Sequence, residues 1–397
     1  MDNNFSHVLL TDGHWRKTLA AARALGRNSL SVTVGESTYL STAGFSRYCR
    51  HRIVYPSAFV KPLAFVDYLY NYCRKNAVRM LLPMEDPTMA LLATHRQQFE
   101  RITSLPIESS AKLKRARDKG EVIRLARNLG IPVPKTWFIR DLAELSQIQE
   151  ELPYPVVIKP RRASGALGVA YPRNRQELVD QYRTIHRRFP FPLIQEKIPN
   201  QGPGYGASFL LDQKSDIKAA FVHKRLREYP VSGGASTARI STRYDQIRDM
   251  AASLLKALDW FGIAMVEFKM DPRDNTPKLM EINPRFWGSL ALAIASGVNF
   301  PYLLYKMALG QNFKPVEAYQ LGVICRWLLP GDMLHYIHTP RRRAISKDFF
   351  RFKGDHLHYD ILSLSDPLPA VAKLLTPLTF LFDPDMQARM KARRGLI

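Results

Sequence analysis

The chain has 397 residues, of which 46% are hydrophobic and 23% charged, as expected for a globular protein of two or three domains. A formal net charge of +23 favours anionic partners such as nucleotides, acidic metabolites, nucleic acid or an anionic membrane surface. Three scattered cysteines argue against a disulfide framework, and the first residues lack the features of a signal peptide, so we expect a cytoplasmic protein.

Strand-like and helix-like segments alternate at the start of the chain. Short apolar strands are predicted near 7–10, 29–34, 52–55 and 78–83, with helices running to Gly26 and near 62–76. This order predicts an α/β fold with a small doubly wound parallel sheet and a crevice at its carboxyl edge. No GxGxxG motif follows the first strand, so we expect no dinucleotide site.

A lysine and a small-residue loop come next. Asp118 is placed to cap a helix, and the apolar strand 156–159 ends in Lys159. The following loop contains Ser164, Gly165 and Gly168. Glycines let main-chain N–H groups approach phosphate oxygens while a lysine supplies charge, although the spacing differs from that of a P-loop. The alternative is an ordinary flexible turn.

The segment 218–228 alternates strongly, as a strand does. His223, Arg225 and Arg227 are predicted to share one face. Aligned positive charges are unfavourable unless an anion lies across them, so this face is a candidate anion site. The alternative is a solvated basic strand.

A predicted β-hairpin carries two acidic residues, Glu267 and Glu281, on either side of the turn-forming segment 271–277. A register that pairs these two positions brings both carboxylates to the side of Asn283 and Arg285. Such oxygen ligands suit Mg²⁺ or Mn²⁺ carrying a nucleotide polyphosphate. The alternative is an exposed hairpin with solvated acids.

Residues 286–305 carry no charge, but their glycines, serines and proline favour a buried helix over a membrane span. Beyond 310 the composition turns basic and aromatic. An apolar stretch over 368–382 is expected to pack on the core, with peripheral membrane contact as the less favoured interpretation. No motif for reading nucleic acid is found.

The order of these features resembles the ATP-grasp superfamily over about residues 5–310, near the branch of biotin carboxylase, carbamoyl phosphate synthetase and carboxylate–amine ligases. The resemblance implies an ATP-grasp fold of α+β type behind an N-terminal Rossmann-like pre-ATP-grasp domain. The predicted division is 1–108 for that domain, 109–196 for a small subdomain with the lid, 197–310 for a large subdomain with the metal site, and 311–397 for an extension of unassigned role.

The resemblance also implies roles for individual residues. Lys119 and Lys159 would contact the ATP phosphates under a lid containing Ser164, Gly165 and Gly168. The hinge Gln195, Glu196, Lys197 and Ile198 would hold adenine. Glu267, Glu281 and Asn283 would bind one or two Mg²⁺ or Mn²⁺ ions. Arg285 would steady the transferred phosphoryl group, while His223, Arg225 and Arg227 would hold the carboxylate substrate.

The implied activity is that of an Mg-ATP-dependent ligase that forms carbon–nitrogen bonds. It would activate a small carboxylate as an acyl phosphate and join it to an amine, releasing ADP and phosphate, with no nucleic acid involved. Two alternatives are a carboxyphosphate-forming enzyme that uses bicarbonate and a non-catalytic ATP-binding sensor or scaffold. Family members often bind ribose through an acid just after the hinge, but residues 201–208 contain none.

Overall fold

The computed structural model describes residues 7–148, 150–163, 167–379, 382–383 and 385–387. The chain begins with four parallel strands: β1 (His7–Leu10), β2 (Ser31–Glu36), β3 (His51–Val54) and β4 (Met80–Leu82). They form one sheet in the order β3-β2-β1-β4. The helices in this part are α1 (Arg16–Arg27), α2 (Pro62–Lys75), α3 (Asp86–Thr94) and α4 (Arg96–Glu100).

Alternate side chains of this sheet enter two separate cores. Leu9 belongs to the same core as Phe65 of α2, whereas Val8 and Leu10 belong to the core of Leu19 in α1. Helices therefore cover both faces, which explains why the strands read as continuous apolar runs. The predicted doubly wound arrangement is confirmed.

A small antiparallel sheet follows, with the strands β5 (Thr136–Phe138), β6 (Val156–Lys159) and β7 (Leu193–Glu196). The middle strand is β7, and the core of this unit includes Ile158, Tyr182 and Ile194. The helices here are α5 (Ser110–Arg117), α6 (Lys119–Asn128), α7 (Leu142–Ile148) and α8 (Arg175–Arg188). As predicted, Asp118 caps α6 by accepting hydrogen bonds from the backbone N–H groups of Gly120 and Glu121.

A seven-stranded sheet forms the rest of the framework. Its strands are β8 (Gly204–Leu211), β9 (Ile217–Tyr229), β10 (Ala235–Ser241), β11 (Gly262–Asp271), β12 (Thr276–Asn283), β13 (Ile324–Arg326) and β14 (Leu357–Tyr359). Their order is β12-β11-β8-β9-β10-β13-β14, and every pair is antiparallel except β13 with β14. The accompanying helices are α9 (Asp245–Lys256), α10 (Leu290–Ala295), α11 (Phe300–Ala308), α12 (Met333–His338), α13 (Arg342–Phe349) and α14 (Leu368–Thr379).

The uncharged segment 286–305 is largely buried, as predicted, but it forms two short helices where one was expected. Gly297, at a φ of 103°, separates α10 from α11, and the side chain of Asn299 caps α11 through the backbone N–H of Tyr302. A left-handed glycine ends a helix at low cost, which explains the break. No helix in the described part of the chain is long and apolar enough to cross a membrane.

The C-terminal segment, which had no assigned role, extends the seven-stranded sheet through β13 and β14. Its acids also pair with strands that come earlier in the chain. Asp332 pairs with Arg227 of β9, and Asp360 pairs with Arg239 of β10. The segment is thus part of the main framework. The domain boundaries near 108, 196 and 310 stay a prediction.

Candidate active site

The two acidic residues of the hairpin lie opposite each other. Glu267 of β11 pairs directly with Glu281 of β12, and the register then shifts so that Phe268 pairs with Leu279. This bulge keeps Leu279 and Ile282 in the core while Met280 and Glu281 both remain partly exposed. β-Bulges commonly re-aim side chains beside active sites, and here the bulge presents Glu281 to the same open face as Glu267.

Cationic side chains already neutralise both carboxylates. Lys119 Nζ lies 3.0 Å from Glu281 Oε2, and Arg225 Nη2 lies 2.5 Å from Glu267 Oε2. Asn283 donates from Nδ2 to Glu267 Oε1 at 3.0 Å. Burial raises the pKa of Glu267 although Arg225 opposes the shift. For Glu281 burial acts in the same direction, but Lys119 and then Lys159 outweigh it and hold its pKa below the usual value.

Two lysines, one at the start of α6 and one at the end of β6, lie near this hairpin. Lys119, the first residue of α6, also donates to the backbone oxygen of Ala163 at 2.8 Å. Lys159, the last residue of β6, lies 4.0 Å from Met280 Sδ. Burial lowers the pKa of Lys159 to about 8, with Glu281 opposing the shift and Lys119 adding to it. Lys119 thus contacts one of the two predicted metal carboxylates, and Lys159 lies near enough for its charge to act on the same group.

Two glycines of β8 make room on the floor of the site. A Cβ on Gly206 would lie 2.4 Å from His223 Cε1, and a Cβ on Gly204 would lie 2.9 Å from Arg225 Cδ. Side chains at either position would therefore displace the imidazole or the guanidinium. The sequence prediction missed this function, although the alternation in Gly204-Tyr-Gly206 was its visible sign.

The basic face of β9 differs from the prediction of one row of donors facing an anion. Arg225 contacts Glu267 and lies 3.5 Å from Glu228, whereas Arg227 forms a bidentate pair with Asp332 at 2.7 and 2.8 Å. Acids from distant parts of the chain therefore neutralise both arginines. Arg227 is buried in that pair, and its position does not fit contact with a substrate.

His223 is an uncharged member of the site. Burial, followed by the charges of Arg225 and Arg239, lowers its pKa to about 3. Its Nε2 lies 3.2 Å from Ser289 Oγ. At neutral pH the imidazole can therefore offer a hydrogen bond to a ligand but no positive charge.

The predicted hinge lies between the small sheet and the hairpin. Gln195 is buried and donates to Thr136 Oγ1 at 2.9 Å, and Ile198 is buried. Glu196 accepts from the backbone N–H of Lys135 at 2.9 Å and from Arg273 at 2.8 Å. Lys197 lies over the ring of Tyr171. The side chain of Glu196 thus ties the hinge to the turn of the hairpin, and its backbone N–H donates to the oxygen of Lys135 at 2.9 Å.

Arg285 joins the site to the first sheet. It donates to Asp86 at 3.0 Å, and Lys17 of α1 pairs with Glu85 at 2.6 Å. Burial opposes the charge of Asp86, but Arg285 and then Arg117 prevail and lower its pKa to about 2. Glu85 and Asp86 follow β4 at the carboxyl edge of a parallel sheet, where polar groups commonly line a crevice. The sequence pattern assigned neither residue to the site.

The predicted lid is only partly described. Ser164 and Gly165 lie outside the described residues, and Gly168 has a φ of 71°. Arg161 and Arg162 on the near side of the loop both pair with Asp118, at 2.9 and 3.1 Å. The start of the loop is therefore fixed to the N-terminus of α6.

The donor atoms of the hairpin fit a hard divalent cation. Glu267 and Glu281 provide four carboxylate oxygens, and an amide that donates through Nδ2, as Asn283 does, keeps its oxygen as an acceptor. Among the residues that the structure describes, no group of three or more His, Cys, Asp or Glu side chains is placed to hold a metal. The oxygen set of the hairpin therefore consists of two carboxylates and the amide of Asn283. A separate open cleft of about 910 Å³, lined by residues that include Arg79, Arg96 and Lys214, does not include these side chains.

Comparison with known proteins places this geometry in a class. Residues 217–328 match the family model described as ATP-grasp in the biosynthetic pathway with Ter operon. The chain is 24% identical over 249 residues to the carbamoyl phosphate synthase large chain of Sulfurisphaera tokodaii, covering 61% of this chain and 24% of that protein. It is 22% identical over 250 residues to the D-aspartate ligase of Enterococcus faecium, covering 58% of each.

Solved structures show the same fold. The biotin carboxylase domain of the Hydrogenobacter thermophilus 2-oxoglutarate carboxylase, in complex with MgADP, ADP and bicarbonate, superposes with a TM-score of 0.65 at 15% identity, covering 81% of this chain and 73% of that one. The L-amino acid ligase of Bacillus licheniformis gives a TM-score of 0.60 at 18% identity, covering 79% and 75%. The chain therefore contains an ATP-grasp domain, and the predicted resemblance and fold class are confirmed. It spans only about a quarter of the synthase and 58% of the D-aspartate ligase.

Proposed function

We propose that this protein is an ATP-dependent ligase that activates a small carboxylate as an acyl phosphate and joins it to an amine. The observation that carries the proposal is the pairing of Glu267 with Glu281 across the hairpin, with Lys119 at 3.0 Å from Glu281. Two carboxylates, an amide and two lysines at one face form an arrangement suited to a metal-bound triphosphate. ATP-grasp relatives, one of them in complex with MgADP, support the same assignment.

Glu267, Glu281 and Asn283 would hold one or two Mg²⁺ or Mn²⁺ ions, which supply positive charge to the phosphate oxygens. Lys119 and Lys159 would bind the phosphates from the side of the small subdomain. The main chain of the hinge, from Gln195 to Ile198, would hold adenine. The loop with Ser164, Gly165 and Gly168 would exclude water, and thus hydrolysis of the activated intermediate.

The chemistry has two steps that balance. A carboxylate oxygen attacks the γ-phosphorus, the bond from that phosphorus to the β–γ bridging oxygen breaks, and ADP leaves. The amine nitrogen then attacks the acyl carbon, the carbon–oxygen bond to phosphate breaks, and the nitrogen loses a proton. Arg285, held at 3.0 Å from Asp86, would neutralise charge on the transferred group.

Arg225 is the candidate for orienting the carboxylate substrate, with His223 as a neutral donor beside it. Arg225 lies at 18% exposure between Glu267 and Glu228, so it faces the metal site and remains accessible. Arg227 leaves the set because its Nε and Nη2 both donate to Asp332 in a buried pair. The partners are then a small carboxylate and an amine, and a cytoplasmic location stays a prediction.

The test is ATP-dependent phosphate release across a panel of carboxylic acids paired with amino acids. We expect turnover only with both substrates, and Glu281→Gln should reduce it by about 10²–10³-fold because one preorganised charge partner is lost. Asp274→Asn is the matched control, because Asp274 lies on the turn of the same hairpin and is half exposed. Turnover of Glu281→Gln within threefold of the parent would reject the metal assignment.

Bicarbonate is the second candidate for the acid. One structural neighbour is a biotin carboxylase domain in complex with bicarbonate, and two are N5-carboxyaminoimidazole synthetases. Bicarbonate-stimulated ADP release without any organic acid would establish this reaction instead. Tight ATP binding without turnover on the whole panel would indicate a sensor or scaffold.

A further inference from the structure

In the part of the chain that the structure describes, one face of helix α14 is apolar and exposed. Its buried side consists of Pro369, Ala372 and Thr376. The opposite side is formed by exposed apolar residues at helical spacing: Leu368, Val371, Leu374, Leu375 and Leu378. Leu374 and Leu378 are 66% and 65% exposed. Single exposed leucines are common on protein surfaces, but five exposed apolar residues on one helix face indicate an interaction site.

The helix is held in this orientation at both ends. Before it, Asp366 accepts from Arg23 Nε at 2.8 Å and from Ser46 Oγ at 2.7 Å. After it, Asp383 lies 3.0 Å from His14 Nε2 and accepts from Ser37 Oγ at 3.1 Å. Because polar contacts to α1 and to the loops around the first sheet hold both flanks, the fold fixes the outward orientation of the apolar face.

A second apolar group lies near this face, an aromatic cluster that consists of Tyr336, Phe349, Phe350 and Phe352. Phe350 and Phe352 are 57% and 47% exposed. Tyr359 connects α14 with the aromatic cluster. It lines a small cavity of about 40 Å³ together with Leu329 and Leu374, and it donates to the backbone oxygen of Phe352 at 2.8 Å.

Positive charge surrounds the aromatic cluster. Between 341 and 355 the chain carries six lysines and arginines against two aspartates, and all six cations are exposed: Arg341, Arg342, Arg343, Lys347, Arg351 and Lys353. Exposed leucines and phenylalanines beside a row of cations are the combination that lies in the interface of an anionic membrane.

We propose that the surface formed by α14, α13 and residues 350–353 docks onto anionic lipid, with the apolar residues at the level of the headgroups. The occupant is a membrane rather than a second copy of this chain, because a symmetric contact would bring two rows of like charge together. This role goes beyond the ligase activity and does not depend on it.

The test is co-sedimentation of the full chain with vesicles of phosphatidylcholine alone or with 30% phosphatidylglycerol (about one lipid in three, a composition rich enough in charge to recruit polybasic surfaces). We expect binding to the anionic vesicles only, and release as salt rises because the Debye length falls from about 10 Å at 0.1 M to about 3 Å at 1 M. Leu374→Glu/Leu378→Glu should weaken binding about tenfold or more, since it places charge on the inserted face.

Two further variants separate lipid docking from other causes. Lys347→Glu/Lys353→Glu should weaken binding without touching the apolar face, and Leu63→Glu, at a 69% exposed leucine of α2, should leave it within twofold. Equal binding to neutral and anionic vesicles, or no loss in either double variant, would overturn the proposal. Self-association without vesicle binding, abolished by Leu374→Glu/Leu378→Glu, would assign the face to a second copy and overturn it as well.

Discussion

Arg225 and Arg227 lie two residues apart on β9, yet they belong to two different charge networks. Arg225 reaches Glu267, which is 16% exposed and shares its remaining oxygen with Asn283. Arg227 reaches Asp332, which is fully buried and also accepts from Arg326 at 2.7 Å and from Thr237 at 3.1 Å. An arginine paired with a carboxylate is therefore accessible in the Arg225–Glu267 network and closed to solvent in the Arg227–Asp332 network.

The difference teaches how to separate a site from a structural ion pair. The acceptors of Asp332 are saturated by protein donors, so a ligand could enter only by breaking a buried network. The carboxylates of the hairpin instead remain partly exposed and lie beside the two glycines of β8 and the side chain of Lys119, so a ligand could replace a protein partner there. Accessible, exchangeable acceptors distinguish the candidate active site more clearly than the presence of arginine and acid together.

Removing the carboxylate of the closed network gives the largest expected effect. Asp332→Asn leaves Arg227 and Arg326 buried beside a neutral group and should lower the free energy of unfolding by about 3–5 kcal/mol. Urea denaturation would measure the loss, with Asp245→Asn as control, because its pair with Arg243 is exposed and worth at most about 1 kcal/mol. Equal losses of unfolding free energy in the two variants would show that the buried Asp332 network stabilises the fold no more than an exposed ion pair does.

The Asp332 contribution also has a defined pH dependence. Burial opposes its charge, but Arg227 and Arg326 prevail and hold the pKa of Asp332 below its usual value. A depressed folded-state pKa means that the stabilisation is complete above the unfolded value of about 3.9 and is lost as the pH falls through the folded value. The difference between the parent and Asp332→Asn should therefore shrink only in acid.

The floor of the open network gives an intermediate effect. Gly206→Ala forces a methyl group to 2.4 Å from the buried ring of His223, which should cost about 1–3 kcal/mol of stability and disturb the site. Ser208→Ala, on the same face of β8, removes a buried hydroxyl that has no partner among the described residues and should cost less than about 1 kcal/mol. Thermal melting of the two variants would compare them, and an unchanged Gly206→Ala would contradict the close packing.

The smallest expected effect concerns the charge of Lys159. Because its pKa is lowered to about 8, the ammonium that would face phosphate is lost as the pH rises through that value. We expect kcat/KM for ATP to fall about fivefold between pH 8 and pH 9, as the protonated fraction of Lys159 declines. Lys159→Arg should remove this decline, since arginine stays protonated there. A parallel decline in both enzymes would assign the titration to another group.

Local patterns predicted the parts of the site that lie close together in sequence. The Glu267–Glu281 pairing followed from alternation and turn residues, and the cap at Asp118 followed from its position before α6. The Asp332 partner of Arg227 is 105 residues away, and no local pattern indicates such a contact. The three-residue strands β13 and β14 are likewise too short for a period-2 pattern to be visible.

The place of β13 in the sheet has a practical consequence for dissecting this protein. A chain cut near residue 310 would retain the hairpin, both lysines and the glycine floor, yet it would expose the ladder of β10 along Ala238, Arg239 and Ile240. It would also leave Arg227 and Arg239 without their partners Asp332 and Asp360. The fragment that ends at the predicted boundary near 310 is therefore expected to aggregate rather than to act as a minimal enzyme.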